Sequence, residues 1–309
     1  MKIRVFSALF AAVCLLSLLG GCANREKQVV GSCAGYDVLY EEVRFVALSE
    51  RKEGQSAADL QAAVAARITE DYAVLTAAKE FFPDLTLDDP EIRQAVDAAV
   101  DEAIEEYGGK SKYKAFLKEQ NLTENYARLL LGRAEVELKW KQALENELFN
   151  GTELESETAF AGWLASGNLV RVRRIVAESE ATANEVRANL LAGKTVEQAT
   201  GGKTGVSVSA KFYLVRGYSE DEQLEADAFA LTAEDPIGEV RSTEGGYRIL
   251  VLEENDMDAF TAYQLPTYFK NMRDEKSDAE SEKRLAEAAR NNPFSFNDYG
   301  KSIDLATIK

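Results

Sequence analysis

The chain has 309 residues, 36 basic against 53 acidic, with a net charge of −17, three cysteines and no histidine. A surface this acidic disfavours nucleic acid and is repelled by anionic headgroups. Without histidine the chain lacks the commonest metal ligand and the commonest general base at neutral pH, so no metal and no other cofactor is expected.

Lys2 and Arg4 precede the apolar run IRVFSALFAAVCLLSLL, which with its flank is too short to be a comfortable membrane span. The run ends in Leu19-Gly20-Gly21-Cys22, which resembles the lipobox of bacterial lipoproteins. That resemblance implies that 1–21 is a signal segment and that Cys22 is the acylated first residue of the mature chain. The alternative is an ordinary secretory signal with a chance cysteine. Each buried acyl methylene contributes about 0.8 kcal/mol, so several chains hold a protein to a membrane. No later segment reaches about 20 consecutive apolar residues, so the expectation is an anchored chain rather than a spanning one. Cys14 would leave with the signal and Cys22 would be lipidated. Only Cys33 would then remain, and no intramolecular disulfide could form.

After the polar tether ANREKQVVGS, the stretch QVVGSCAGYDVLYEEVRFVAL predicts a strand, a glycine turn and the start of a helix. In AADLQAAVAARITEDYAVLTAAKEFF, the residues Leu60, Val64, Ile68, Tyr72, Leu75 and Phe82 mark one helix face, stopped by Pro83. Asp89-Pro90 opens the next helix as an N-cap followed by a first-turn proline, with Ile92, Val96, Val100, Ile104 and Tyr107 along one side until Gly108-Gly109. A short helix around Tyr113, Phe116 and Leu117 follows. A long one capped by Thr123 then carries Tyr126, Leu129, Leu130, Val136, Trp140, Leu144 and Leu148.

From Leu169 the period changes from helical to alternating. LVRVRRIV, KFYLVRG and PIGEVRSTEGGYRILVLEEN supply strands, while TANEVRANLLAG and QLEADAFAL supply helices. A charged helix, LPTYFKNMRDEKSDAESEKRLAEAARNN, and a last strand in FSFNDYGKSIDLATIK complete the chain. Two strands each hold one odd residue. Val170, Val172, Arg174 and Val176 share a face, and so do Gly246, Arg248, Leu250 and Leu252, with Tyr247, Ile249 and Val251 opposite.

The strand, small turn at Ala34-Gly35 and following helices, with GGKSKYKAFLKEQNLTENYARLLL, resemble the opening of SurA/PrsA-type foldases. The middle segment is similar to parvulin peptidyl-prolyl isomerases. Arg173 to Val176 (RRIV) stands against that family's "RHIL", Phe229-Ala230-Leu231 against "aFaL", and Gly246-Tyr247-Arg248-Ile249 against "GyHII", with Arg216-Gly217 after the middle strand. The resemblance implies an α+β fold: a helical SurA-like domain over 22–165, an inserted parvulin-like domain over 166–255, and a C-terminal helix and strand over 256–309 that return to complete the helical domain.

It also implies that Arg174 and Arg248 occupy the positions of the two family histidines, and that Leu214, Leu224, Phe229 and Tyr247 stand where the proline-pocket wall is expected. Phe229 and Tyr247 would equally serve as core of a small domain. The segment between Gly193 and Lys211 lacks the family's "GGdLG" run and offers no counterpart to its active-site Cys or Asp, and Gly245 falls where a hydroxyl residue is usual. An imidazole donates on one nitrogen and accepts on the other; guanidinium only donates and stays charged. Two adjacent guanidiniums need a carboxylate between them or an escape to water. The expected function is therefore a membrane-anchored extracytoplasmic chaperone or foldase that binds unfolded secreted polypeptides, with a degenerate, non-catalytic parvulin domain that is mainly structural or peptide-binding, and with apolar grooves of the helical domain as an equal place for client chains. An active isomerase and a solute-binding lipoprotein are the two alternatives.

Overall fold

A computed structural model describes residues 25–308, so the signal segment and Cys22 lie outside the described residues. The fold is α+β and divides into two units. The first comprises 25–147 together with 277–308; the second is Leu148–Lys276.

In the first unit, β1 (Val29–Cys33) and β2 (Tyr36–Leu39) form a hairpin, adding a second strand between the expected turn and helix. Ala34 and Gly35 both take positive φ, 53° and 82°, the backbone of a two-residue turn whose twist matches its strands. The helices α1 (Tyr40–Glu50), α2 (Ala57–Ala77), α3 (Pro90–Glu106), α4 (Lys110–Glu119) and α5 (Glu124–Phe149) follow. Asp89 caps α3, accepting from the Glu91 amide at 3.0 Å, and Thr123 caps α5, accepting from the Tyr126 amide at 2.9 Å. The stripe Leu60, Val64, Ile68, Tyr72 and Leu75 is buried, as are Val96, Val136, Trp140 and Leu144.

The second unit opens with α6 (Glu157–Trp163). Strand β3 (Leu169–Ala177) is its centre, followed by α7 (Glu180–Leu191), α8 (Val196–Thr200), β4 (Val206–Val208), β5 (Phe212–Val215), α9 (Glu222–Phe229), β6 (Arg241–Thr243), β7 (Gly246–Glu253) and α10 (Met257–Tyr263). The sheet is antiparallel: β7 pairs one edge of β3, and β5 and β4 share the other. On one face Ile175, Ala177 and Ile249 pack against Ala183, Val186 and Leu190 of α7. At the end where β3 begins, Leu169, Tyr213 and Val215 pack with Phe160 and Phe260.

Helix α11 (Leu265–Asn291) leads to β8 (Ser295–Phe296), which pairs with the free edge of β1 and gives the order β2-β1-β8. A Cβ on Gly31 would lie 2.4 Å from the Ser295 carbonyl oxygen, so this pairing needs glycine. The expected last strand is only these two residues. Asn297 accepts from the Gly300 amide at 2.8 Å and so caps a short helix, α12 (Asp298–Lys301), which ends the extended backbone.

Candidate functional site

The sheet face carrying Arg174 and Arg248 is covered by α9 only in part, over Arg248. Val170, Val172 and Leu250 pack there against Leu224 and Ala228, with Phe212, Leu214, Phe229, Leu231 and Leu252 around them. Val172 is fully buried, whereas Phe212, Leu214 and Phe229 remain partly exposed. The face is therefore an apolar surface half covered by one short helix.

The register sets the arginines. Arg174 stands opposite Leu250 and Val176 opposite Arg248, so the two are diagonal neighbours on adjacent strands of one face. Their environments differ. The Arg248 side chain is 4% exposed and donates to Asp221 Oδ2 at 3.0 Å and to Asp227 Oδ2 at 2.8 Å. Asp221 is also the N-cap of α9, its Oδ1 accepting from the Leu224 amide at 2.8 Å. One guanidinium thus ties the N-cap and the last turn of α9 to the sheet. Arg241 Nε adds a third contact, 3.4 Å from Asp227 Oδ1.

Arg174 is exposed, and its guanidinium makes no hydrogen bond or ion pair among the described residues. Only its backbone is tied, donating to Ser209 Oγ at 2.9 Å and accepting from the Ser209 amide at 2.8 Å. Carboxylates meet the charge of one arginine, and the other faces outward.

Leu214, Leu224 and Phe229 come together on this face. Tyr247 does not join them, because it belongs to the opposite face and packs on the α7 side, where strand alternation already puts it. Three of the four residues expected at the wall thus share one face, and Phe212 lies with them. Arg216 stacks its guanidinium 4.0 Å over the Phe229 ring. The loop beneath Arg216 is fixed by Glu225, which accepts from the Gly217 amide at 2.7 Å and the Ser219 amide at 3.1 Å. Gly217 has φ 78°, which glycine adopts freely.

Among the described residues, the charged groups that meet here are the Arg248 guanidinium and the Asp221 and Asp227 carboxylates that it engages. Among the described residues no group of Cys, Asp and Glu is arranged to hold a metal ion, and no helix is long and apolar enough to cross a membrane.

No protein-family model and no curated protein matches the chain. Among solved structures it is similar to a SurA-like chaperone of Campylobacter jejuni, at 11% identity over 87% of this chain and 99% of that one, with a TM-score of 0.31. It is similar to the peptidylprolyl isomerase PrsA of Bacillus cereus, at 13% identity over 82% and 95%, TM-score 0.39. It is also similar to the foldase PrsA of Lactococcus lactis, at 16% identity over 92% and 100%, TM-score 0.30. Identity and superposition this low carry no functional argument, which rests on the side chains themselves.

Proposed function

We propose that this chain is an extracytoplasmic chaperone that binds unfolded polypeptide and does not catalyse prolyl isomerisation. The observation that carries the reading is the Arg248 clamp. It holds α9, and with it Leu224 and Phe229, over a partly exposed apolar face, while occupying a place where catalysis by proton-sharing hydrogen bonds would need an imidazole.

The barrier to rotation about an X-Pro bond is about 20 kcal/mol. Lowering it requires groups that bind the twisted amide better than the planar one. A rigid apolar face binds both forms alike, so it holds a segment without speeding its exchange. The lipobox-like Leu19-Gly20-Gly21-Cys22 supports anchoring through an acylated Cys22.

The test pairs two assays on the same preparation. The chain should suppress aggregation of a reduced secreted protein, less well after Phe229→Ala, and should leave a proline-limited refolding phase unchanged. Acceleration of that phase, abolished by Phe229→Ala, would establish the active-isomerase alternative.

A further inference from the structure

The first unit contains a cavity of about 480 Å³ that opens to solvent. Its apolar wall is Leu39, Leu87, Val96 and Leu129, and Glu42 and Tyr72, each 2% exposed, lie on the same lining. Gly132 lines it as well, and a Cβ there would stand 3.1 Å from Leu87, so the missing side chain keeps this wall recessed.

Pairing decides the charge that a ligand meets. Arg93 is bound to Asp88 at 2.7 Å and Arg128 to Asp97. Glu42 is neutralised by Arg133, outside the lining, at 2.6 Å, and takes further donors from Tyr72 Oη at 3.0 Å and the Leu39 amide at 2.9 Å. Asp37 on β2 is exposed and makes no hydrogen bond or ion pair among the described residues. One carboxylate is left over on a lining of mixed apolar and charged side chains, Asn125 on it being taken by Glu41, in a chain with 53 acidic and 36 basic residues. Such a field concentrates cations.

We infer that this cavity receives a lysine or arginine side chain of a bound polypeptide, its methylene stem along Leu39, Val96 and Leu129 and its cationic head at Asp37. Long basic side chains bury their stems on apolar surface and keep the head with a charge or water. A cavity of this size, within the roughly 300–1,000 Å³ range of ligand sites, also leaves room for backbone beside the side chain. The inference rests on the reading of the chain as a polypeptide binder and adds a side-chain preference at a site separate from the Arg248 face.

The test uses the full chain and labelled nonapeptides that differ only in a central lysine, norleucine or glutamate, followed by fluorescence anisotropy. Norleucine keeps the stem and removes the charge. The lysine peptide should bind about fivefold more tightly than the norleucine peptide, the upper end for a partly exposed ion pair, and the glutamate peptide most weakly. Asp37→Asn should bring the lysine-to-norleucine ratio close to one without changing norleucine binding, with Asp37→Ser as the alternative if the amide perturbs the strand. Phe229→Ala should leave the ratio intact.

Equal binding of lysine and norleucine peptides, a preference that survives both Asp37 substitutions, or no binding of any peptide overturns the inference. A chain that suppresses aggregation yet shows no lysine preference loses this inference alone. A chain that does not suppress aggregation loses the broader reading.

Discussion

Two arginines two residues apart across one ladder meet opposite fates because only one of them faces α9. Removing the Arg248 guanidinium would leave Asp227, whose side chain is 14% exposed, without its main partner, and Asp221, 52% exposed, with only its cap. Arg241 and water temper the loss, so Arg248→Leu should cost about 1–3 kcal/mol in urea unfolding. Arg174→Ala should stay within about 0.5 kcal/mol. Equal effects of the two substitutions would refute the clamp. The oddity of Arg248 was legible in the sequence, because strict alternation exposes one charged residue among aliphatics. Its partners were not legible: they lie 27 and 21 residues away, and nothing in a sequence says which carboxylate of a helix turns inward. Tyr247 teaches the converse. Alternation alone assigns its face, which is not the one that holds Leu214, Leu224 and Phe229.

At the scale of elements, helix stripes and caps were readable because each depends on residues within one or two turns. The span of the second unit was not. Phe160 and Phe260 flank the strand-rich stretch on either side and still pack into its core, a contact that periodicity does not encode. Nor does periodicity reveal how α11 is held. Arg284 on that helix meets Glu80 at 2.9 Å, Glu147 at 2.9 Å and Glu280 at 2.8 Å, all within the first unit. Its hydrogen bonds hold the Glu147 and Glu280 carboxyls below their ordinary range. Groups with a depressed folded value stabilise above the unfolded value and lose that contribution as pH falls. The difference in thermal midpoint between the wild type and Arg284→Met should therefore be largest near pH 6 and shrink toward pH 3. A gap that widens in acid would show that the cluster does not act through these carboxylates.

At the scale of the whole chain, the first unit is stitched from both ends of the sequence. Cys33 reports on that seam. It is 1% exposed, its thiol donates to the Asn292 carbonyl at 3.3 Å, and burial pushes its pKa up to about 11. In the chain carrying Cys14→Ser and Cys22→Ser it should resist a thiol reagent at pH 8, because the protonated, buried thiol is a poor nucleophile. Deleting 292–309 should make it react at least tenfold faster. Unchanged reactivity after the deletion would mean that the closing strand contributes nothing to this core.

The same seam orders events during synthesis. When Val29–Cys33 emerges, its outer edge has no partner, and Ser295–Phe296 follows more than 260 residues later. The sheet domain between them can be finished first, so a strand made early is among the last to settle. During that interval its bare edge stays open to pairing with another chain.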